Sequence, residues 1–324
     1  MIVFERRAST ILFNLLNVHT LKGPFLLPAN ICPIVPMVFH KAQRSFEFVD
    51  IAPNTLCMDH KALVERWSQP YNKPAGIVYV RTYGAIFDAT DIFSVIKNLS
   101  PQAMIVDDRC LCPPSFDRIL TPHVDVALFS TGYAKYADIG FGGFGVISDD
   151  IPYTCTSSAF NAANLDDLTF QYKQALRTQQ NFSYINSDWL DMTKPQETWI
   201  SYQNQVEQEL IQIRERKKAI NLIYSDRLSS DIQFPSTFQS WRFNIHVQEK
   251  KSVLDAIYNE GLFASGHYDS LAGIFGRGNA PFAKMLHCHV INLFNDRYFS
   301  ENQAIKLTDL LSRFKSLASS QIFL

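Results

Sequence analysis

The sequence has no Cys-x-x-Cys pair, no basic run able to track a phosphate backbone, no low-complexity tract and no internal repeat. Each absence removes a class of protein. Six cysteines, at positions 32, 57, 110, 112, 155 and 288, are few for 324 residues. A chain this long buries a core without disulfides, so a reducing cytoplasm is the expected compartment. Cys110-Leu-Cys112 and His287-Cys-His289 alternate their side chains across a strand or helix and make poor tetrahedral sets, so no metal site is expected. Basic and acidic residues nearly cancel, leaving a net charge of -1. A nucleic-acid partner would need clustered Lys and Arg, and Arg214-Glu-Arg-Lys-Lys218 is better read as a solvated helix face. No apolar run approaches the roughly 20 residues of a membrane helix. Arg6-Arg7 ahead of Thr10 to Val18 lacks the small-residue cleavage site of a secretory leader.

What the chain does contain is an apolar fraction of 47%, enough for sizeable cores, and a length that suggests about two domains. Short apolar strands alternate with helical stretches: Pro24 to Leu27, Phe46 to Val49, Gly76 to Val80, Ala103 to Val106, Val124 to Phe129 and Gly143 to Ile147. That alternation predicts an α/β fold, a mostly parallel sheet flanked by helices. The polar, aromatic-rich stretch from Ser157 to Glu197 predicts helices and loops over a site, with no obvious core of its own from Phe182 to Trp199. Gln203 to Leu228 predicts one long helix. Beyond it, strand, helix and strand patterns (Trp241 to Val247, Ser252 to Glu260, Phe263 to Tyr268) and a closing helix from Ser300 to Leu317 predict a smaller α+β domain. The expected boundaries are 1–210 for the large domain and 211–324 for the small one.

Chemistry concentrates at strand ends. An apolar strand delivers Ser130 and then Lys135 into a glycine-rich turn, Gly140-Phe-Gly-Gly143. An amine on a rigid strand end, beside anion-binding groups, can be desolvated into a nucleophile toward an aldehyde. Pyridoxal phosphate is the aldehyde this setting suggests. Its ring nitrogen must be kept protonated for the cofactor to act as an electron sink, which requires a fixed carboxylate. Met104-Ile-Val-Asp-Asp108 ends in two, of which Asp108 is the candidate, while one of the two can cap the following turn. Exposed amides at the helix that starts near Ala8 and Ser9 can hold a phosphate, with Arg7 adding positive charge nearby.

With these residues in order, the chain resembles the DegT/DnrJ/StrS family of aminotransferases, within the fold-type-I pyridoxal-phosphate enzymes. Similar segments are Leu26-Leu-Pro-Ala-Asn-Ile-Cys-Pro-Ile, Phe46-Glu-Phe-Val-Asp-Ile-Ala-Pro53, Val80-Arg-Thr-Tyr-Gly84, His267-Tyr268, and Ala280-Pro-Phe-Ala-Lys-Met-Leu before Val290-Ile-Asn-Leu. The resemblance implies Lys135 as the Schiff-base lysine, Asp108 as partner of the ring nitrogen, and Ser130, Ala8, Ser9 and Cys32 as further cofactor contacts. His267, Tyr268, Arg81, Tyr83 and Arg277 are the candidate substrate residues, the arginines as anion anchors.

The implied activity is transfer of an amino group, from glutamate, to a keto-sugar nucleotide in surface polysaccharide or antibiotic sugar biosynthesis. A non-sugar ketone or aldehyde, a lyase or dehydratase reaction, and a non-catalytic cofactor-binding sensor are the alternatives. Small-molecule donor and acceptor, and a homodimer with shared active sites, are the implied partners; neither nucleic acid nor membrane is. Several positions depart from the family pattern. The phosphate helix has Arg7-Ala8-Ser9-Thr10 where the family opens on Gly-Thr-x-Ala, and Cys32 stands where relatives place an aromatic ring. Leu111 replaces a polar residue. The family's Asn that reaches a neighbouring subunit's phosphate has no counterpart near Asp188 to Met192.

Overall fold

The structure is a computed structural model that describes residues 1–314. A seven-stranded sheet forms its centre, in the order β1-β7-β6-β5-β4-β2-β3. These strands are β1 (Ile2–Glu5), β2 (Phe25–Pro28), β3 (Phe46–Val49), β4 (Gly76–Val80), β5 (Met104–Asp108), β6 (Val126–Ser130) and β7 (Gly143–Ile147). Pairing from β3 through β2, β4 and β5 to β6 is parallel, whereas β7 runs antiparallel to β6 and to β1. Strands β2 and β5 are buried along their whole length, as expected where helices cover both faces of a parallel sheet. Only β1 lacks a counterpart in the sequence reading. Four residues at the chain start carry too little pattern to be distinguished from the helix that follows.

Helix α1 (Ala8–Val18) buries Ile11, Leu12, Leu15 and Leu16 in a core shared with Val106, Val126 and Leu128, to which α2 (Ile34–Lys41) adds Met37, Val38 and Phe39. On the opposite face, α3 (His60–Ser68) and α4 (Thr90–Leu99) cover Ile77, Tyr79 and Ile105 with Leu63, Trp67, Ile92 and Phe93. Asp59 caps α3 by accepting from the Ala62 amide at 2.9 Å. The segment over the site contains one helix, α5 (Ala162–Thr178). The stretch after it joins the main core, with Phe182, Trp189, Leu190 and Met192 buried there.

The long helix α6 (Trp199–Arg227) serves two cores. Its first half packs Tyr202, Val206, Leu210 and Ile213 against Phe129 and Phe144. Its second half contributes Ile220 and Tyr224 to a separate cluster. That cluster lies under a three-stranded antiparallel sheet of β8 (Phe243–His246), β10 (Val290–Leu293) and β9 (Ala264–Ser265). It also takes residues of α7 (Lys250–Asn259) and α9 (Glu301–Leu311). The expected closing helix beyond residue 314 lies outside the described residues. Helix α8 (Pro281–His289) joins Ala29, Ile51 and Tyr83 of the large sheet's loops to Phe234 and Phe238 of the C-terminal part in one apolar cluster.

A candidate active site at the carboxyl end of the sheet

Strands β2, β4, β5 and β6 are parallel and end at the same edge, and there they deliver Cys32, Arg81, Asp108 and Ser130. Because β7 is antiparallel to its neighbours it starts at this edge, and β1 ends there, bringing Arg7 and the first turn of α1 alongside. Gly143 permits that approach. A Cβ on it would stand 2.3 Å from the Ala8 nitrogen, an overlap no side chain tolerates.

Asp107 and Asp108 point to opposite faces because side chains alternate along a strand. Val106 belongs to the α1 side and Ile105 to the α3–α4 side, so Asp108 faces α1 and Asp107 faces away. Asp107 is wholly buried and accepts from Arg81 at 2.6 and 3.1 Å and from Arg109 at 2.8 Å. Asp108 accepts from the Cys110 amide at 2.9 Å and also meets the Cys110 thiol. Burial raises its pKa, against the pull of those two contacts and of Lys135. Neighbouring Cys110 is likewise pushed up, by burial first and then by Asp108. Ser130 lies two residues beyond Leu128, the partner of Asp108 in the ladder, and so on the same face.

The Lys135 turn is held from both sides. Asp138 accepts from the Ala134 amide at 2.8 Å and the Gly140 amide at 2.9 Å. Trp241, from the C-terminal part, donates its indole N–H to the Ala134 carbonyl at 2.8 Å. Ala134 itself has φ +59°, a left-handed conformation that costs a residue with a Cβ about 1–2 kcal/mol. Strain sustained immediately before a candidate nucleophile, by contacts from both parts of the chain, marks a position set by its surroundings. Beside this turn opens a cavity of about 450 Å³, bordered by Tyr133, Arg242, Phe294 and Asp296.

Of the expected substrate residues, Tyr268 reaches the cluster. Its ring keeps 36% exposure, while its hydroxyl meets the Cys32 thiol within electrostatic reach of Tyr172 and Asp108; Cys32, then burial, raise its pKa. Three others have their side chains enclosed by the protein. Arg81 is 1% exposed, spent on Asp107 and the Phe87 carbonyl, with its guanidinium over the Tyr79 ring on the far face of the sheet. It has no free edge for a substrate anion. Tyr83 is fully buried at φ +57°, stacked 6.5 Å from Trp241 within the cluster that joins the two parts of the chain. His267 is buried 4.7 Å from Tyr83, and burial, helped by His287 and Lys250, holds its pKa down to about 3, so the ring is neutral. Arg277 stands exposed on the 273–278 turn without an ion pair among the described residues.

No family model and no curated protein matches the sequence. Solved structures do. A DegT DnrJ EryC1 StrS aminotransferase from Brucella abortus matches with TM-score 0.67 and 16% identity, over 97% of this chain and 85% of that one. A sugar aminotransferase from Micromonospora echinospora matches with TM-score 0.67 and 15% identity, over 96% and 87%. The same values hold for the E. coli GDP-4-keto-6-deoxy-D-mannose-3-dehydratase with bound hydrated PLP. The chain has the DegT/DnrJ/EryC1/StrS aminotransferase fold.

In that fold-type-I architecture, the side chains fit a phosphorylated pyridine aldehyde. A Cβ on Gly132 would lie 3.2 Å from Arg7 Nη1 and 3.9 Å from Ser130 Oγ, so a cation and a hydroxyl flank a small space that a side chain would fill. Thr10, by contrast, donates its hydroxyl to the Asp191 carbonyl at 2.7 Å. The sequence reading gave Tyr172 no role, because only tertiary packing brings α5 over Cys32. It also passed over Asn30, 3% exposed, whose carboxamide has no protein partner among the described residues although its backbone meets the His267 ring.

Proposed function

We propose that the chain is a pyridoxal-phosphate-dependent aminotransferase, moving an amino group from an amino acid, with glutamate the first candidate, to a keto acceptor of the sugar-nucleotide class. One observation carries the reading: Lys135, in a turn pinned from both sides, lies within electrostatic reach of the buried Asp108 at the carboxyl edge of the sheet. Bound there, the cofactor would supply an electron sink for the carbon that loses or gains the amino group. Lys135 provides the amine that holds it and the base that moves a proton at Nζ. Asp108 would hold the ring nitrogen, where a cation would favour the ionised carboxylate that burial alone opposes. Ser130 Oγ and the first amides of α1, those of Ala8 and Ser9, would hold the phosphate. Tyr268 and Cys32 would line the pocket, and Arg277 is the anion anchor that remains for the acceptor.

Dehydration or lyase chemistry on the same cofactor is the second reading, supported by a dehydratase among the proteins that share the fold. A spectrum of the purified protein separates the possibilities. With cofactor added, a visible band and a borohydride-reducible adduct on Lys135 are expected, and Lys135→Ala should show neither. Glutamate should bleach the band and a keto compound should restore it. Recovery of ammonia with no aminated product would establish a lyase. Absence of any adduct on the wild-type chain would remove the cofactor reading itself.

A further inference from the structure

Arg7 is the residue at this site that the fold leaves without an internal task. It precedes α1 in extended conformation, φ -144° and ψ 144°, and its side chain caps nothing. Among the described residues that side chain makes no hydrogen bond and no ion pair, whereas Arg6 turns the other way, 3.7 Å from Asp191 and over the Phe141 ring. The acids around it are occupied elsewhere. Asp191 also accepts from Thr193, Glu5 accepts from Tyr153, and Asp138 accepts the Ala134 and Gly140 amides. No acidic residue lies in the first turn of α1. The guanidinium nevertheless has a defined place, 3.2 Å from where a Gly132 Cβ would stand, with Ser130 Oγ 3.9 Å from the same point. Gly132 is buried with no side chain, so the space between cation and hydroxyl is kept open.

We propose that Arg7 is a phosphate ligand. It closes, from within the same chain, the anion site formed by Ser130 and the first amides of α1. The proposal rests on the cofactor reading for the identity of the phosphate, but not for the existence of the anion site. A guanidinium presents a planar fork that matches two phosphate oxygens, which a lysine ammonium does not. Arg7 is exposed and unpaired, so its replacement should leave the fold intact.

The test uses the full-length protein, the variants Arg7→Ala and Arg7→Lys, and three probes: pyridoxal phosphate, pyridoxal without its phosphate, and inorganic phosphate. Aldehyde binding is read from the visible band and from the borohydride-trapped mass at Lys135. Phosphate binding is read from thermal stabilisation. Arg7→Ala should weaken pyridoxal phosphate roughly 10- to 100-fold, the scale of a charge-assisted contact. It should leave pyridoxal within about twofold and abolish the stabilisation by phosphate, since neither effect needs the ring contacts. Arg7→Lys should recover part of the affinity. If Arg7→Ala weakens both aldehydes alike, or neither, the assignment is wrong. If the wild-type chain traps neither aldehyde yet loses phosphate stabilisation in Arg7→Ala, the anion site stands and the cofactor reading falls.

Discussion

At the scale of single residues, two adjacent aspartates with the same chemistry have opposite roles because a strand alternates its faces. Asp107 neutralises Arg81 and Arg109 in a buried network. Removing one partner of such a network leaves charge stranded and costs about 3–5 kcal/mol. Asp107→Asn should therefore lower the urea midpoint markedly. Asp108 is the reverse case: burial raises its folded pKa above the ordinary 3.8, so the native state holds its proton to higher pH than the unfolded chain does. Stability attributable to this group is fully present below the unfolded value and is lost as pH rises through the folded one. Without cofactor, Asp108→Asn should thus match or exceed wild-type stability at pH 7, with the difference vanishing in acid. With cofactor it should bind but lose turnover. A destabilised Asp108→Asn together with a tolerated Asp107→Asn would exchange their assignments. Sequence alone placed Asp108 at a strand end. It could not tell which of the two caps the turn, because Arg81 lies 26 positions away and only sheet formation brings it to Asp107, leaving Asp108 to accept the Cys110 amide.

At the scale of elements, α6 connects the Lys135 turn to the C-terminal part. Midway along it Lys217 is 4% exposed, donating to the Trp241 carbonyl at 2.6 Å and to Asn295 Oδ1 at 2.8 Å. Its Nζ lies 5.0 Å from the Tyr136 ring, next in sequence to Lys135. Burial, then Arg242, pull its pKa from 10.5 to about 7, while Asp296 and Glu209 oppose them. Between those values the unfolded chain binds more protons than the native one, so stability from this group rises with pH, by about 1.4 kcal/mol per unit. Below pH 7 both states are protonated and the slope ends. Urea unfolding at a series of pH values should show the wild type gaining on Lys217→Met from pH 7 to 10, with a constant difference below about 6. A difference constant throughout would mean that Lys217 titrates as an exposed lysine. The helix itself was predicted from Gln203 to Leu228 and runs Trp199–Arg227. Its dual allegiance was not visible, since Tyr202, Val206, Leu210, Ile213, Ile220 and Tyr224 recur at helical spacing along one face, and a single apolar stripe does not tell which core each half of the helix meets.

At the scale of the molecule, the order of strands brings residues from positions 7 to 268 around one edge of one sheet and one apolar junction. Self-association into a homodimer is expected from the resemblance and from exposed apolar side chains near the site segment: Phe170 at 63%, Ile185 at 59% and Ile200 at 70%. Sedimentation should give a dimer, with Ile200→Lys shifting it toward monomer; a fully active monomer at working concentration would contradict shared sites.

By itself the sequence determined the α/β alternation, the strand-end positions of Lys135, Asp108 and Ser130, and the turn that Gly140, Gly142 and Gly143 permit. These are local consequences of backbone periodicity and of where a Cβ can fit. The tertiary structure alone decided which polar groups remain available. It sealed Arg81 against Asp107, enclosed Tyr83 and a neutral His267 in the junction, and left Arg7 unpaired beside Gly132. Pairing and desolvation depend on neighbours distant in the chain, and no local pattern encodes them.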